Sequence, residues 1–125
     1  MSPDVPFVEH LALKALDLAQ TDAFYTLLGA KTSRHAAGQR LFAEFGSGTR
    51  LIFDAADSAP NASAVTYIGL ELESVQAVDE LFARVAVSTR ISRDAREQYR
   101  HDPGPYGFFV SDPDGYVLKV FNYHA

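Results

Sequence analysis

The 125-residue sequence contains no cysteine and no tryptophan. The absence of cysteine excludes disulfides, thiolate catalysis and cysteine-ligated metal centres. Positive charge is also scarce, because 11 Lys and Arg residues stand against 16 Asp and Glu residues, a net charge of -5 at pH 7. Nucleic-acid binding usually requires a basic face, so this balance argues against a nucleic-acid partner.

Long apolar runs are missing as well. No stretch resembles a membrane-spanning helix or the apolar region of a signal peptide, so we expect a soluble, cytoplasmic protein with no membrane partner. The hydrophobic content of 47% and the charged content of 22% are typical of globular proteins. The length predicts a single domain, 1–125, large enough to bury its own core.

The most informative stretch is 107–123, with the sequence GFFVSDPDGYVLKVFNY. The tetrapeptide that begins at Asp112 has Asp first, Pro second and Gly fourth, the preferences of a type I turn. Strand-forming runs on both sides make this a hairpin and define the register of the last strand. Alternation along that strand then places Lys119 on the same face as Phe121 and Tyr123.

Two helices are predicted, over 17–28 and 74–85. Asp17 and Ser74 have the residue types of helix N-caps, and Gly29 is placed to end the first helix. Strands are predicted over 7–13, 31–34, 40–45, 49–54, 65–72, 108–110 and 116–123. The predicted core comprises Leu11, Leu13, Phe24, Leu28, Leu51, Phe53, Ile68, Leu70, Leu81, Phe82, Leu118 and Val120.

The two halves of the chain repeat one order of elements. Residues 8–13 superpose on 65–70, which places His10 on Tyr67, and residues 48–53 superpose on 115–120. Each half is therefore a βαβββ module, about 5–58 and 64–124, joined by a polar linker. Neither module alone buries both faces of its sheet, so we expect the two modules to share one cavity.

The chain resembles the vicinal oxygen chelate superfamily, which includes glyoxalase I, extradiol dioxygenases and bleomycin-resistance proteins. The resemblance rests on His10 with Asp17 seven residues later, on Phe24-Tyr25 and Leu28-Gly29, and on the terminal 112–119 run DPDGYVLK. It implies an α+β fold in which paired βαβββ modules form an incomplete barrel around a shared cavity. It also implies a homodimer.

Enzymes of that family hold a divalent metal with His and Glu side chains from four strand positions. By resemblance those positions are His10, Ile52, Tyr67 and Lys119. Ile52 has no donor atom, and the Lys119 ammonium would repel a divalent ion by several kcal/mol even at an effective dielectric constant of about 20. We therefore predict neither a metal nor another cofactor.

The strand register indicates a cavity face that mixes aromatic and polar side chains, the composition that holds small organic ligands. The predicted ligand-binding residues are His10, Arg50, Ile52, Tyr67, Glu71, Lys119, Phe121 and Tyr123. An alternative is that Glu71, Lys119, Arg50 and Asp54 only pair with each other near the strand ends. The charged stretch 89–105 is interpreted as a solvated face or a strand followed by a loop, with an anion-binding cluster of its arginines as the alternative.

The sequence is compatible with three alternative functions. The favoured one is a metal-free protein of the glyoxalase/bleomycin-resistance type that binds a small molecule and sequesters an antibiotic or another aromatic or acidic metabolite. The second is a lyase, isomerase or dioxygenase with a non-standard site, either metal-dependent or using His10 or Tyr67 as acid or base. The third is a structural module whose cavity its own side chains fill. Antibiotic-binding relatives tend to stack ligands on tryptophan, so its absence counts against drug sequestration.

Overall fold

The computed structural model describes residues 5–46, 48–88 and 90–124, and for His124 only the backbone. The chain divides into two compact units, Met1–Pro60 and Asn61–Ala125. Each unit holds one α-helix and one open, four-stranded mixed sheet, so the predicted α+β class and the βαβββ modules are confirmed.

The first unit has its elements in the order strand, helix and three strands. They are β1 (His10–Ala15), α1 (Leu18–Leu28), β2 (Lys31–His35), β3 (Arg40–Glu44) and β4 (Arg50–Ala55). The sheet order is β1-β4-β3-β2. β1 runs parallel to β4, and the other neighbouring strands are antiparallel.

The second unit repeats this order. Its elements are β5 (Ile68–Glu71), α2 (Val75–Ala86), β6 (Ile91–Asp94), β7 (Gly104–Ser111) and β8 (Val117–His124). The sheet order is β5-β8-β7-β6, again with only the first pair parallel. A short 3₁₀ turn, Glu97–Tyr99, lies between β6 and β7. The predicted charged stretch therefore contains a strand and a turn, while Thr89 lies outside the described residues.

The pairing register confirms the internal repeat. Ala12 pairs with Ile52 in the first sheet, and Gly69 pairs with Lys119 in the second. Ala12 and Gly69 each stand two residues after the positions that the sequence overlay aligns, His10 and Tyr67. The parallel strand pairs of the two sheets therefore have the same register.

Local capping explains where the helices begin and end. The Asp17 carboxylate accepts hydrogen bonds from the backbone N–H groups of Ala19 (3.0 Å) and Gln20 (3.2 Å), and Ser74 Oγ accepts one from Ala77 (3.0 Å). Gly29 ends α1 with φ 108°, a left-handed conformation that favours glycine. Among the described residues, no helix is long and apolar enough to cross a membrane.

Most of the predicted core is buried, but Leu11 was assigned to it wrongly. Leu11 is 39% exposed, although Leu13 and Ala15 further along the same strand are buried. Strand alternation gives the face on which a side chain lies, but not how far the helix covers that face. Three further predicted core residues are only half-buried: Ile68, Leu70 and Phe82.

Three strands begin elsewhere than predicted. β7 begins at Gly104 rather than at residue 108, β1 at His10 rather than at residue 7, and β5 at Ile68 rather than at residue 65. β1 and β5 begin where pairing with the parallel neighbour begins, opposite Arg50 and Leu118. Strand-forming composition extends further than the available partner, so Tyr67 lies in the connection that precedes β5.

Candidate functional site

Each sheet has a face that packs on its helix and an opposite face, here called the open face. In β8, Leu118 and Val120 are fully buried, whereas Lys119 and Phe121 on the open face are half-buried. The predicted site residues are divided between the units. His10, Arg50 and Ile52 belong to the first, and Tyr67, Glu71, Lys119, Phe121 and Tyr123 belong to the second.

The turn between β7 and β8 determines where Lys119 lies. Asp112 is 1% exposed, and its Oδ1 accepts hydrogen bonds from the backbone N–H groups of Asp114 (2.9 Å) and Tyr116 (3.0 Å). The Gly115 N–H donates to the Asp112 carbonyl at 3.0 Å, the closing bond of the predicted turn. The resulting register pairs Lys119 with Phe109, as the open-face placement requires.

Two aromatic rings lie near the Lys119 ammonium. Its Nζ lies 5.5 Å from the ring centre of Tyr67 and 5.2 Å from that of Phe121. Tyr67 packs edge-on against Phe109 at 5.8 Å, and Phe121 packs edge-on against Tyr123 at 5.2 Å. Four predicted site residues of the second unit therefore form one cluster, which holds its cation through cation–π contacts.

No carboxylate among the described residues lies within 4.0 Å of Lys119. The predicted alternative of an ion pair with Glu71 is therefore wrong. Glu71 pairs with Phe121 in the sheet rather than with Lys119, and its side chain is exposed. The cluster thus presents a positive charge whose anionic partner the described residues do not provide.

Gly107 makes room for this cluster. A Cβ at Gly107 would collide with the Val120 carbonyl and with Phe121, so only glycine allows β7 to approach β8 this closely. A Cβ at Gly69 would lie 3.4 Å from the Phe121 ring, at the edge of ordinary van der Waals contact.

A cavity of about 140 Å³ opens on the same face of the second unit. Its lining includes Lys119 and Phe109 from the sheet, Arg93 from β6, and Gln98 and Tyr99 from the Glu97–Tyr99 turn. Sequence reasoning did not assign Arg93, Gln98, Tyr99 or Phe109 to the site. The sequence signal for Arg93 is the clustering of arginines in 89–105, for which an anion-binding cluster is the alternative interpretation rather than the favoured one.

A β-bulge brings Arg93 to the open face. Ile91 pairs with Val110 and Arg93 pairs with Phe109, so β6 advances two residues while β7 advances one. Regular alternation would place Arg93 on the same face as Ile91. The extra residue, Ser92, instead turns Arg93 towards the open face, where its guanidinium carbon lies 5.8 Å from the Phe109 ring centre.

The open face of the first unit carries an ionic cluster. Arg50 donates two hydrogen bonds to the Glu9 carboxylate, from Nε at 2.7 Å and from Nη2 at 2.6 Å. His10 Nδ1 lies 2.8 Å from the same carboxylate, and Phe42 packs under the Arg50 guanidinium at 4.8 Å. The Arg50 hydrogen bonds, assisted by His10, lower the pKa of Glu9 to about 2.

This cluster corrects the predicted alternative for Arg50, in which it pairs with one of the charged residues Glu71, Lys119 and Asp54. Its partner is Glu9, and its place in a ligand site stays a prediction. Asp54 likewise pairs with Arg40, at 2.6 Å. Ile52, also in this unit, is half-buried and contributes only hydrocarbon to the open face.

The side chains at the four family metal positions do not fit a divalent ion held by His and Glu. Only His10 offers a suitable donor, and one of its ring nitrogens already contacts Glu9. Lys119 is a cation and Ile52 has no donor atom. No group of three or more His, Asp or Glu side chains suited to a metal occurs among the residues described.

Solved structures share this fold over nearly their whole length. A glyoxalase/dioxygenase from Nostoc punctiforme is 19% identical with a TM-score of 0.76, and the match covers 100% of this chain and 97% of the other. A glyoxalase/bleomycin resistance protein/dioxygenase from Alicyclobacillus acidocaldarius is 24% identical, with a TM-score of 0.73 and coverage of 99% and 95%. Lactoylglutathione lyase from Agrobacterium tumefaciens is 21% identical, with a TM-score of 0.72 and coverage of 97% and 96%. At these identities the likeness establishes the fold alone.

Comparison with curated protein sequences finds no match. A family model does match, and it extends from the segment before β1 to the middle of β8, residues 8–120. That match includes both modules, the Asp112 turn and Lys119. On this evidence the chain belongs to the Glyoxalase/Bleomycin resistance protein/Dioxygenase superfamily.

Proposed function

We propose that this protein binds a small, acidic aromatic molecule on the open face of its second unit and does so without a resident metal. The observation that carries the proposal is the Lys119 ammonium, held between the Tyr67 and Phe121 rings with no carboxylate partner among the described residues. A partly buried cation is stabilised by an anion, and a ligand carboxylate, phenolate or enolate would supply one. The Phe109 and Tyr99 side chains that line the cavity beside Lys119 would pack against the ligand's apolar surface.

The size of the cavity supports a ligand with a single ring. Its volume is about 140 Å³, whereas sites for drug-sized ligands measure roughly 300–1,000 Å³. A benzoate-like acid suits this space better than a large antibiotic. Together with the absence of tryptophan, the volume favours a small metabolite over drug sequestration.

Calorimetric titration with benzoate and ring-substituted benzoates tests the proposal. Lys119→Ala should weaken binding by about tenfold to a hundredfold, because a hydrogen bond to a charged group contributes about 1.5–3 kcal/mol. Lys31→Ala is the control, since Lys31 is an exposed strand lysine of the first unit. Equal loss in both variants, or no binding of any aromatic acid by the wild type, would overturn the proposal.

Elemental analysis of protein purified without chelator tests the metal-free part separately. We expect much less than one Zn, Ni, Mn or Fe per chain, because His10 is the only strong donor among the four family positions. One metal per chain that disappears in His10→Ala would contradict this expectation. That result would favour the alternative of a metal-dependent lyase, isomerase or dioxygenase.

A further inference from the structure

One row of side chains crosses the whole second sheet on its open face. The pairing partners in sequence across the strands are Gly69 with Lys119, Lys119 with Phe109, and Phe109 with Arg93. Neighbouring strands lie about 4.8 Å apart, so the Cα atoms of the two cations are about 10 Å apart with Phe109 between them. The row therefore has the order small residue, cation, aromatic ring, cation.

Within the described part of the chain, the two cations of this row lack the carboxylate partner that most arginines of the protein have. Five arginines have a carboxylate within 4.0 Å: Arg34, Arg40, Arg50, Arg96 and Arg100. Arg93 and Lys119 have none among the described residues, although acidic side chains outnumber basic ones in the chain. The two residues also line the same cavity, and that lining contains no Asp or Glu.

The residue that stands between the two cations in this row is aromatic. The Arg93 guanidinium carbon lies 5.8 Å from the centre of the Phe109 ring, and Tyr67 packs against the same ring edge-on. Gln98 and Tyr99 line the cavity from the Glu97–Tyr99 turn. An aromatic ligand can therefore stack over Phe109 while polar groups at its edges reach the cations.

We propose that the cavity binds a single aromatic ring with two acidic groups on opposite sides, one held by Lys119 and the other by Arg93. This inference rests on the ligand site proposed above and narrows the ligand class from an aromatic acid to an aromatic diacid. Two cations facing one small cavity repel each other, and a dianion removes that repulsion where a monoanion removes only part of it. The Arg93 fork can also bind a carboxylate with two parallel hydrogen bonds.

The test compares benzoate with terephthalate, which carry the same ring and differ by one carboxylate. The dissociation constants of both are measured by calorimetry for wild type, Arg93→Ala and Lys119→Ala. Wild type should bind terephthalate at least tenfold more tightly than benzoate. Arg93→Ala should abolish that difference by weakening terephthalate much more than benzoate, whereas Lys119→Ala should weaken both ligands.

Two controls complete the design. Arg84→Ala removes an exposed arginine of α2 that does not line the cavity, and it should leave both affinities unchanged. Arg93→Gln keeps a long polar side chain without the charge, and it replaces Arg93→Ala if thermal melting shows that the alanine variant does not fold.

The outcomes separate the two proposals. Terephthalate binding no tighter than benzoate, or unaffected by loss of Arg93, would overturn the diacid inference. If Lys119→Ala still weakens benzoate in that case, the proposed function stands. If wild type binds neither compound, or Lys119→Ala changes nothing, both proposals fall.

Discussion

Glu9 illustrates how single residues shape the open face of the first sheet. Its carboxylate receives both hydrogen bonds of the Arg50 fork and also contacts His10. One acidic residue just before β1 therefore decides the partners of two predicted site residues. Through this pair Arg50 joins β4 to the segment before β1.

The low pKa of Glu9 predicts a pH-dependent contribution to stability. A carboxylate with a lowered folded-state pKa stabilises the protein above its ordinary pKa of 4.5, and this stabilisation is lost as the pH falls towards 2. Glu9→Gln should therefore reduce the free energy of unfolding at pH 6 more than at pH 3, measured by urea denaturation. In an Arg50→Ala background most of this difference should vanish. An NMR titration midpoint near 4.5 for wild-type Glu9 would contradict the prediction.

At the scale of elements, the β7–β8 hairpin carries both structure and site. The Asp112 turn closes the hairpin and fixes the register of its two strands. This register pairs Phe109 with Lys119, and Phe121 stands two residues after Lys119 on the same face of β8. The β6 bulge adds Arg93 to the same face. The candidate site is therefore a product of one turn and one irregularity within the antiparallel part of the second sheet.

Replacing Asp112 should destabilise this hairpin. Asp112→Ala removes an acceptor that receives two backbone N–H groups in a buried position, and we expect the free energy of unfolding to fall by about 1–3 kcal/mol. Asp112→Asn keeps an acceptor oxygen and should lose less. Chemical denaturation compares the two variants. Equal stability of Asp112→Ala and wild type would show that the turn does not depend on these bonds.

At the scale of the whole molecule, we propose a homodimer. The superfamily resemblance implies one, and the segment before β1 exposes large apolar side chains, including Phe7 (58%) and Val8 (76%). Exposed apolar groups of this kind commonly mark a protein contact. Sedimentation equilibrium should show a species of twice the 13.7 kDa chain mass. Phe7→Ser combined with Val8→Ser should shift it towards the monomer, while a wild-type monomer at high concentration would refute the proposal.

The sequence by itself determined the features that depend on neighbouring residues. The caps at Asp17 and Ser74, the end of α1 at Gly29 and the Asp112 turn each involve bonds within a few residues. The alternation of side chains along β8 and the repeat of the two halves are likewise visible in the order of residues along the chain. These features were sufficient to predict the βαβββ modules and the face on which Lys119 lies.

Only the tertiary structure decided the features that depend on distant residues. The bulge that turns Arg93 beside Phe109 arises from pairing between β6 and β7, and regular alternation predicts the opposite face. The Glu9–Arg50 pair joins residues 41 positions apart. The first residue of a strand depends on where the neighbouring strand begins. The burial of Leu11 depends on how much of the sheet face the helix covers. Contacts between distant residues depend on how the chain packs, and no local pattern records them.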